Sequence, residues 1–414
     1  MTTMTFETTT QHPHPVPYVD AEHDVPSMEE MLRRTEWLLP RLKGRADAAN
    51  KARRIPAETI ADMQDLGIFR ILQPARFGGY ELDPIVFFKV QILIASVCPS
   101  TAWVLGVIGV HAWQMALFAA EAQDEVWGED TSVLISSSYM PVGKVERVEG
   151  GYQLSGRWGF SSGSEHCDWA FLGAFVPPKE PGGRPDMRTF LVPKEDYTLE
   201  DTWKVSGLAA TGSNDLVVDG TFVPEYRTHR FSHGFTLKSP GHEVNDAPLF
   251  KLPFGQLFTR SVSTPSIGMA KGALEAFRDL SRARISRADG NKALENPIGQ
   301  RVCAKASATV DEVEMVLERN MSLLMDAARS GEPVTMEQRV RFRYDASNAV
   351  VRCVEVVDEL FTNSGSGAIF LDHPMQRFFQ DIHACRAHYA NNPDKPGRNL
   401  GRVMFGQNTQ DFFI

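Results

Sequence analysis

Three regimes of hydrophobic patterning follow one another along the chain. Between about residues 27 and 125 apolar residues recur at helical spacing. Helices are predicted over 28–42 and 56–66 and, after the loop QPARFGGYEL, in two long apolar runs. Pro56 suits a first helical turn, where a missing N–H costs nothing, and Gly78-Gly79 marks a turn that needs backbone freedom. From about 131 to 235 the period switches to two. VGKVERV, GYQLSGRW, DWAFLGAFV, RTFLVP and DLVVDGTFVP read as short strands bounded by Gly, Pro and Asp, which predicts a barrel or small sandwich. Beyond 250 the helical period returns over 258–285, 296–329, 336–361 and 373–390, four long runs that predict a bundle. The chain thus divides into an N-terminal arm (1–26), a helical domain (27–130), a β-domain (131–235) and a C-terminal helical bundle (236–414). The fold class is α+β, with the β-domain set between two helical ones.

One strand breaks its own pattern. Along GYQLSGRWGFSSG, Tyr152, Leu154, Gly156, Trp158, Phe160 and Ser162 alternate onto one face. If the strand stays regular, Ser162 points the same way as Phe160. A ring followed by a small hydroxyl can stack on a flat heterocycle and hydrogen-bond its edge; a strand leaving the core through a polar turn would look the same.

Composition narrows the classes of function. Apolar residues make up 43% and charged residues 23% of 414, as in ordinary soluble domains. A net charge of −9 argues against a general nucleic-acid binder. The five cysteines are scattered, which reads as reduced thiols in the cytoplasm. The first 25 residues lack the basic and apolar regions of a secretion signal and read as a mobile arm. The run TAWVLGVIGVHAWQMALFAA is nearly long enough to span a bilayer. It carries His111 and Gln114, and reads as a buried helix.

Three sets of polar residues are candidates for chemistry. His166-Cys167-Asp168 has no second cluster nearby to complete a metal site, so no metal is expected. His111 lies in the most apolar helix, where it is either hydrogen-bonded structurally or faces a pocket. In HPMQRFFQDIHACRAHYANN, Arg377, Asp381 and His388 share one helical stripe, and Arg377 can pair with Asp381. His388 near a helix end is a candidate general acid or base, or a surface histidine.

These segments together resemble the acyl-CoA dehydrogenase superfamily, and within it the flavin-dependent monooxygenases that serve as oxygenase components of two-component aromatic hydroxylases. The resemblance runs from about 28 to 406. It is carried by GIFRILQPARFGGYE, CPSTAWVLGVIGVHAW, SGRWGFSSGSEHCDWAF, TWKVSGLAATGSNDLVVDGTFVPEYR and RFFQDIHACRAHYA, in that order. It implies an N-terminal helical domain, a middle antiparallel β-barrel and a C-terminal four-helix bundle, assembled as a homotetramer with the flavin between barrel and bundle. It implies that Phe160 lies against the flavin, that Ser162, beside Ser161, is near flavin N5, and that Ser137 supplies a second hydroxyl near the cofactor. Arg284 matches an arginine that reaches the flavin phosphate region, and Asn363-Ser-Gly-Ser-Gly367 matches a loop that approaches a neighbouring subunit's cofactor.

The dehydrogenase branch needs a carboxylate base, and His388-Tyr389-Ala390-Asn391 offers none at the matching stretch. The oxygenase branch has a histidine where His388 stands. There, reduced FMN or FAD and O2 form a C4a-hydroperoxide that a serine and a histidine can hold. His111 matches a histidine that binds or deprotonates a phenol, and Trp103 on the same helix is read either as a wall of the pocket or as core packing. No GxGxxG follows a predicted strand, which implies a separate NAD(P)H:flavin reductase as partner. The expected substrate is a phenol or indole; oxygenation at nitrogen or sulfur, or acyl-CoA oxidation, are the alternatives.

Overall fold

The computed structural model describes residues 25–285, 290 and 292–414. The predicted arm falls almost wholly outside these. The chain opens with α1 (Met28–Ala52), whose first turn is capped by the Ser27 side chain accepting from the Glu30 N–H. It continues ten residues past its predicted end and stops at Arg53, in the left-handed region (φ 57°). Next come α2 (Ala57–Asp65), α3 (Pro84–Ala95), α4 (Pro99–Met115) and α5 (Ala120–Trp127). Almost every residue of α4 is buried, as its unbroken apolar run predicts. Among the described residues no helix is long and apolar enough to cross a membrane.

The middle of the chain forms β1 (Ile135–Val148), β2 (Gly151–Ser161), β3 (Trp169–Val176), β4 (Asp186–Pro193), β5 (Thr198–Glu200), β6 (Asn214–Pro224) and β7 (Thr228–Arg230). They hydrogen-bond in the order β5-β6-β2-β1-β3-β4-β7. The expectation of a purely antiparallel barrel is corrected at one place: β1 and β3 run parallel. The reason is the length of β1, whose register shifts between Ser138 and Gly143. Its second half pairs with β2 as a hairpin, and the chain then returns to begin β3 beside the start of β1. Leu154, Trp158, Leu172, Phe190 and Leu216 fill the enclosed core. On the opposite face Ile135, Phe171 and Leu191 pack against Met115, Phe118 and Trp127 of the helical domain.

The remainder is helical: α6 (Phe231–Thr236), α7 (Phe254–Ser263), α8 (Pro265–Ala283), α9 (Pro297–Ser330), α10 (Met336–Asn363), α11 (Pro374–Ala387) and α12 (Asp394–Met404). Helices α8 to α11 pack together as the predicted bundle. The run expected over 258–285 is two helices, because Pro265 has no N–H to continue the ladder of α7. A Thr335–Gln338 capping box starts α10.

Candidate active site

Three predicted residues from three distant segments meet at one point. Trp103 of α4 donates its indole N–H to Ser162 Oγ at 3.1 Å. The Trp103 ring lies edge-on to the His388 imidazole, with centroids 5.5 Å apart. The approach of strand end to helix depends on Gly163, where φ is +67° and an added Cβ would stand 2.7 Å from Ile108 and 2.9 Å from Val104.

The expected alternation fails just before this point. Register shifts between Trp158 and Ser161, and Phe160 adopts φ 64°, so Phe160 and Ser162 do not share a face. Phe160 is 66% exposed, whereas Ser162 is buried. The bulge turns the Phe160 ring outward, where Trp203 meets it edge-on at 5.7 Å. Ser161 is fully buried and its Oγ has no partner among the described residues.

His388 is not on α11, which ends at Ala387. It follows as a cap, its Nδ1 accepting from the Ala390 N–H at 3.2 Å. That fixes the neutral tautomer and leaves Nε2–H as a donor. The ring keeps some surface, yet burial, aided by the Arg343 charge, pushes its pKa down to about 4. The predicted stripe dissolves accordingly: Arg377 pairs with Asp47 at 2.7 Å, and Asp381 Oδ1 accepts from the Leu208 N–H at 2.6 Å. Burial raises Asp381 to about 6.

His111 forms a second centre eight residues along α4, about 12 Å from Trp103 along the axis. It is fully buried. Its Nδ1 lies 2.6 Å from the Ile135 carbonyl, so Nδ1 carries the proton. Nε2 is then a bare acceptor with no partner among the described residues. Burial pushes the ring down to about 4 and keeps it neutral. Tyr139 and Phe171 stand edge-on to it at 6.1 and 5.4 Å. Tyr139 bonds Gln114 and meets Phe254 and Phe258 at 5.8 and 5.1 Å. Ser137 is buried two residues from Tyr139 on β1, on the same side of the strand, which places it with this centre. A cavity of about 50 Å³ behind α4, lined by Gln64, Arg70, Ile108, Ala112 and Ile135, reaches the His111 centre only through Ile135 and is too small for an aromatic ring.

Arg284 donates to the Ser364 carbonyl at 2.6 Å. This joins it to the glycine loop, where a Cβ on Gly365 would stand 2.4 Å from the guanidinium. Trp203, Thr211 and Ser213 lie in TWKVSGLAATGSNDL without standing out in its pattern. The two hydroxyls flank Gly212 (φ 51°), and the T-G-S spacing was the one signal available. The Cys167 thiol is buried against the Gly163 carbonyl at 3.5 Å.

On these observations the site fits a flavin. An open aromatic ring stands two residues from a buried hydroxyl, with an imidazole donor alongside, at the junction of sheet, α4 and bundle. That combination suits stacking on a flat heterocycle and hydrogen bonding to its edge. Models of the acyl-CoA dehydrogenase N-terminal and C-terminal domains match residues 28–131 and 261–393. The chain belongs to the acyl-CoA dehydrogenase family, among its flavin-dependent monooxygenases. It is 41% identical to the oxygenase subunit HsaA of a flavin-dependent monooxygenase from Rhodococcus jostii (strain RHA1), over 92% of this chain and 100% of that protein. It is 35% identical to the oxygenase component of an FADH2-dependent resorcinol hydroxylase from Rhizobium sp. (strain MTP-10005), over 87% and 90% of the two chains. The crystal structure of 3-HSA hydroxylase from Rhodococcus sp. RHA1 superposes with a TM-score of 0.89 at 41% identity, covering 93% of this chain and 99% of that one.

Proposed function

We propose that the protein is the oxygenase component of a two-component monooxygenase. It takes reduced FMN or FAD from a separate NAD(P)H:flavin reductase and uses O2 to hydroxylate a phenolic or indolic substrate. The observation that carries this is the meeting of Trp103, Ser162 and His388, with no carboxylate paired to any of the three side chains among the described residues. Bound reduced flavin supplies the electrons that activate O2. The chain's residues do the rest. Phe160 and Trp203 offer an aromatic surface for a flat ring, and Ser162 a polar atom for its edge. His388, neutral above about pH 4, has its Nε2–H free to donate to an oxygen atom bound beside Ser162. His111 Nε2 accepts the O–H of a phenol. With a pKa near 4 it orients and polarises that proton better than it removes it. The aromatic rings around His111 and Tyr139 exclude water there, which strengthens the His111 hydrogen bond.

The names of relatives support two further parts of the reading: "oxygenase subunit" and "oxygenase component" imply a reductase partner, and resorcinol is a phenol. Assembly as a homotetramer is supported by Ile369, Phe370 and Leu371, exposed at 66, 65 and 81% beside the glycine loop. A second copy would cover them and bring its own flavin near Arg284. Five unpaired cysteines suit a cytoplasmic setting. The test is product analysis with isotopically labelled dioxygen, reductase and a panel of phenols and indoles. One labelled oxygen atom per product is expected; oxygen recovered only as peroxide with every substrate would contradict the reading.

A further inference from the structure

Ser162 is the end of a hydrogen-bonded chain whose direction can be worked out proton by proton. Thr211 Oγ1 lies 2.8 Å from the Leu208 carbonyl. A carbonyl only accepts, so the single Thr211 hydroxyl proton is committed there. Ser213 Oγ lies 2.7 Å from Thr211 Oγ1, and with the Thr211 proton spent, Ser213 must be the donor. Ser162 Oγ lies 2.7 Å from Ser213 Oγ, so by the same count Ser162 donates to Ser213. The Trp103 N–H fills one Ser162 lone pair. What remains on Ser162 is one acceptor lone pair and no proton.

The anchor of this chain is built to hold. Leu208 is buried, and its backbone sits at φ 52°, a strained position for a branched residue. Its N–H is held by Asp381 Oδ1 at 2.6 Å. Its carbonyl also accepts from Trp203 Nε1 at 3.1 Å, and Trp203 is the residue that meets Phe160. The Gly163 N–H on the Thr211 carbonyl, 2.8 Å, ties the loop to the strand end beside Ser162.

We infer that Thr211 and Ser213 are positioning residues that make Ser162 an obligate hydrogen-bond acceptor toward flavin N5, so that the site selects reduced flavin over oxidised. The inference rests on the reading of Ser162 as the neighbour of N5. In reduced flavin N5 carries a hydrogen and donates; in oxidised flavin N5 is bare and accepts only. An acceptor lone pair therefore matches the reduced form and opposes the oxidised one. An enzyme that must hold oxidised flavin ready for a substrate's hydride needs the opposite polarity, a hydroxyl that donates. The same wiring thus separates an oxygenase from a dehydrogenase within one fold.

The experiment compares wild type, Thr211→Val, Ser213→Ala and Thr211→Ser. Dissociation constants for oxidised and anaerobically reduced FMN and FAD are measured, together with the midpoint potential of the bound flavin. Thr211→Val is close in shape, and the Leu208 carbonyl keeps its bonds from Trp203 and the Thr211 backbone N–H, so no buried acceptor is orphaned. In Thr211→Val, Ser213 turns to donate to Ser162; in Ser213→Ala the acceptor is gone. Both free the Ser162 proton to face N5. Wild type should bind the reduced form more tightly. Both variants should lose roughly tenfold of that preference, the worth of about one hydrogen bond, which lowers the potential by about 30 mV. Thr211→Ser should retain the preference. Unchanged ratios in both variants, with wild type still favouring reduced flavin, would overturn the wiring and leave the proposed function standing. A wild-type protein that binds neither form would overturn both.

Discussion

His388 and His111 carry the same imidazole and nearly the same depressed pKa, yet present opposite faces to a ligand. Backbone hydrogen bonds decide this. The Ala390 N–H takes the Nδ1 lone pair of His388, and the Ile135 carbonyl takes the Nδ1 proton of His111. One ring is left a donor at Nε2, the other an acceptor. Replacing His388 by Ala should therefore uncouple the enzyme, with reductant consumption continuing while product per NADH falls about tenfold or more, as when a placed donor is lost from an active site. His111→Ala should instead weaken binding of phenols while sparing flavin binding. Product yield and substrate affinity measured side by side separate the two roles. Much of this was legible in the sequence, because a histidine inside an apolar helix and a serine at a strand end are conspicuous. What was not legible is tautomer and direction. These depend on Ile135, Ala390, Thr211 and Ser213, brought in by segments whose patterning says nothing about which atom donates.

At the level of elements, the sheet and bundle followed from periodicity, and the departures have local causes. Pro265 splits a predicted helix, and the length of β1 creates a parallel pair. α12 escaped notice because Pro396, Gly397 and Gly401 give DKPGRNLGRVM the composition of a loop. The bulge at Phe160 was invisible too, since nothing in RWGFSSG distinguishes a regular strand from one that turns its ring outward. Gly163 is the joint on which this geometry turns. Gly163→Ala should destabilise the fold by about 1–3 kcal/mol, from its left-handed backbone and from overpacking against Val104 and Ile108. It should also weaken flavin binding by moving Ser162. Urea unfolding and flavin titration of the same variant would check both, and an unchanged midpoint would argue that α4 can yield.

For the whole molecule, the buried histidines impose a pH dependence. His111, His229 and His388 are held neutral by burial, at about 4, about 3 and about 4, against an ordinary 6.5. Between about pH 6.5 and 4 the unfolded chain takes up protons that the folded one refuses, so acid favours unfolding. Asp381 acts the other way: raised to about 6 from 3.8, it keeps a proton in the folded state that the unfolded carboxylate releases. Three groups against one leave the histidines in control. Melting temperature should fall as pH drops through this window and level off above about pH 7; a flat profile would show that these rings charge without unfolding.

Dehydrogenase and oxygenase share this architecture, and the site is read as an oxygenase because His388 stands where a carboxylate base would be needed and Ser162 presents an acceptor. The most direct measurement loads the protein anaerobically with reduced flavin, mixes it with oxygenated buffer, and follows flavin absorbance on a millisecond scale. The account predicts a species distinct from both reduced and oxidised flavin, long-lived without substrate and consumed with product formation when a phenol is present. Direct reappearance of oxidised flavin, together with rapid bleaching of the oxidised protein by an acyl-CoA, would contradict it.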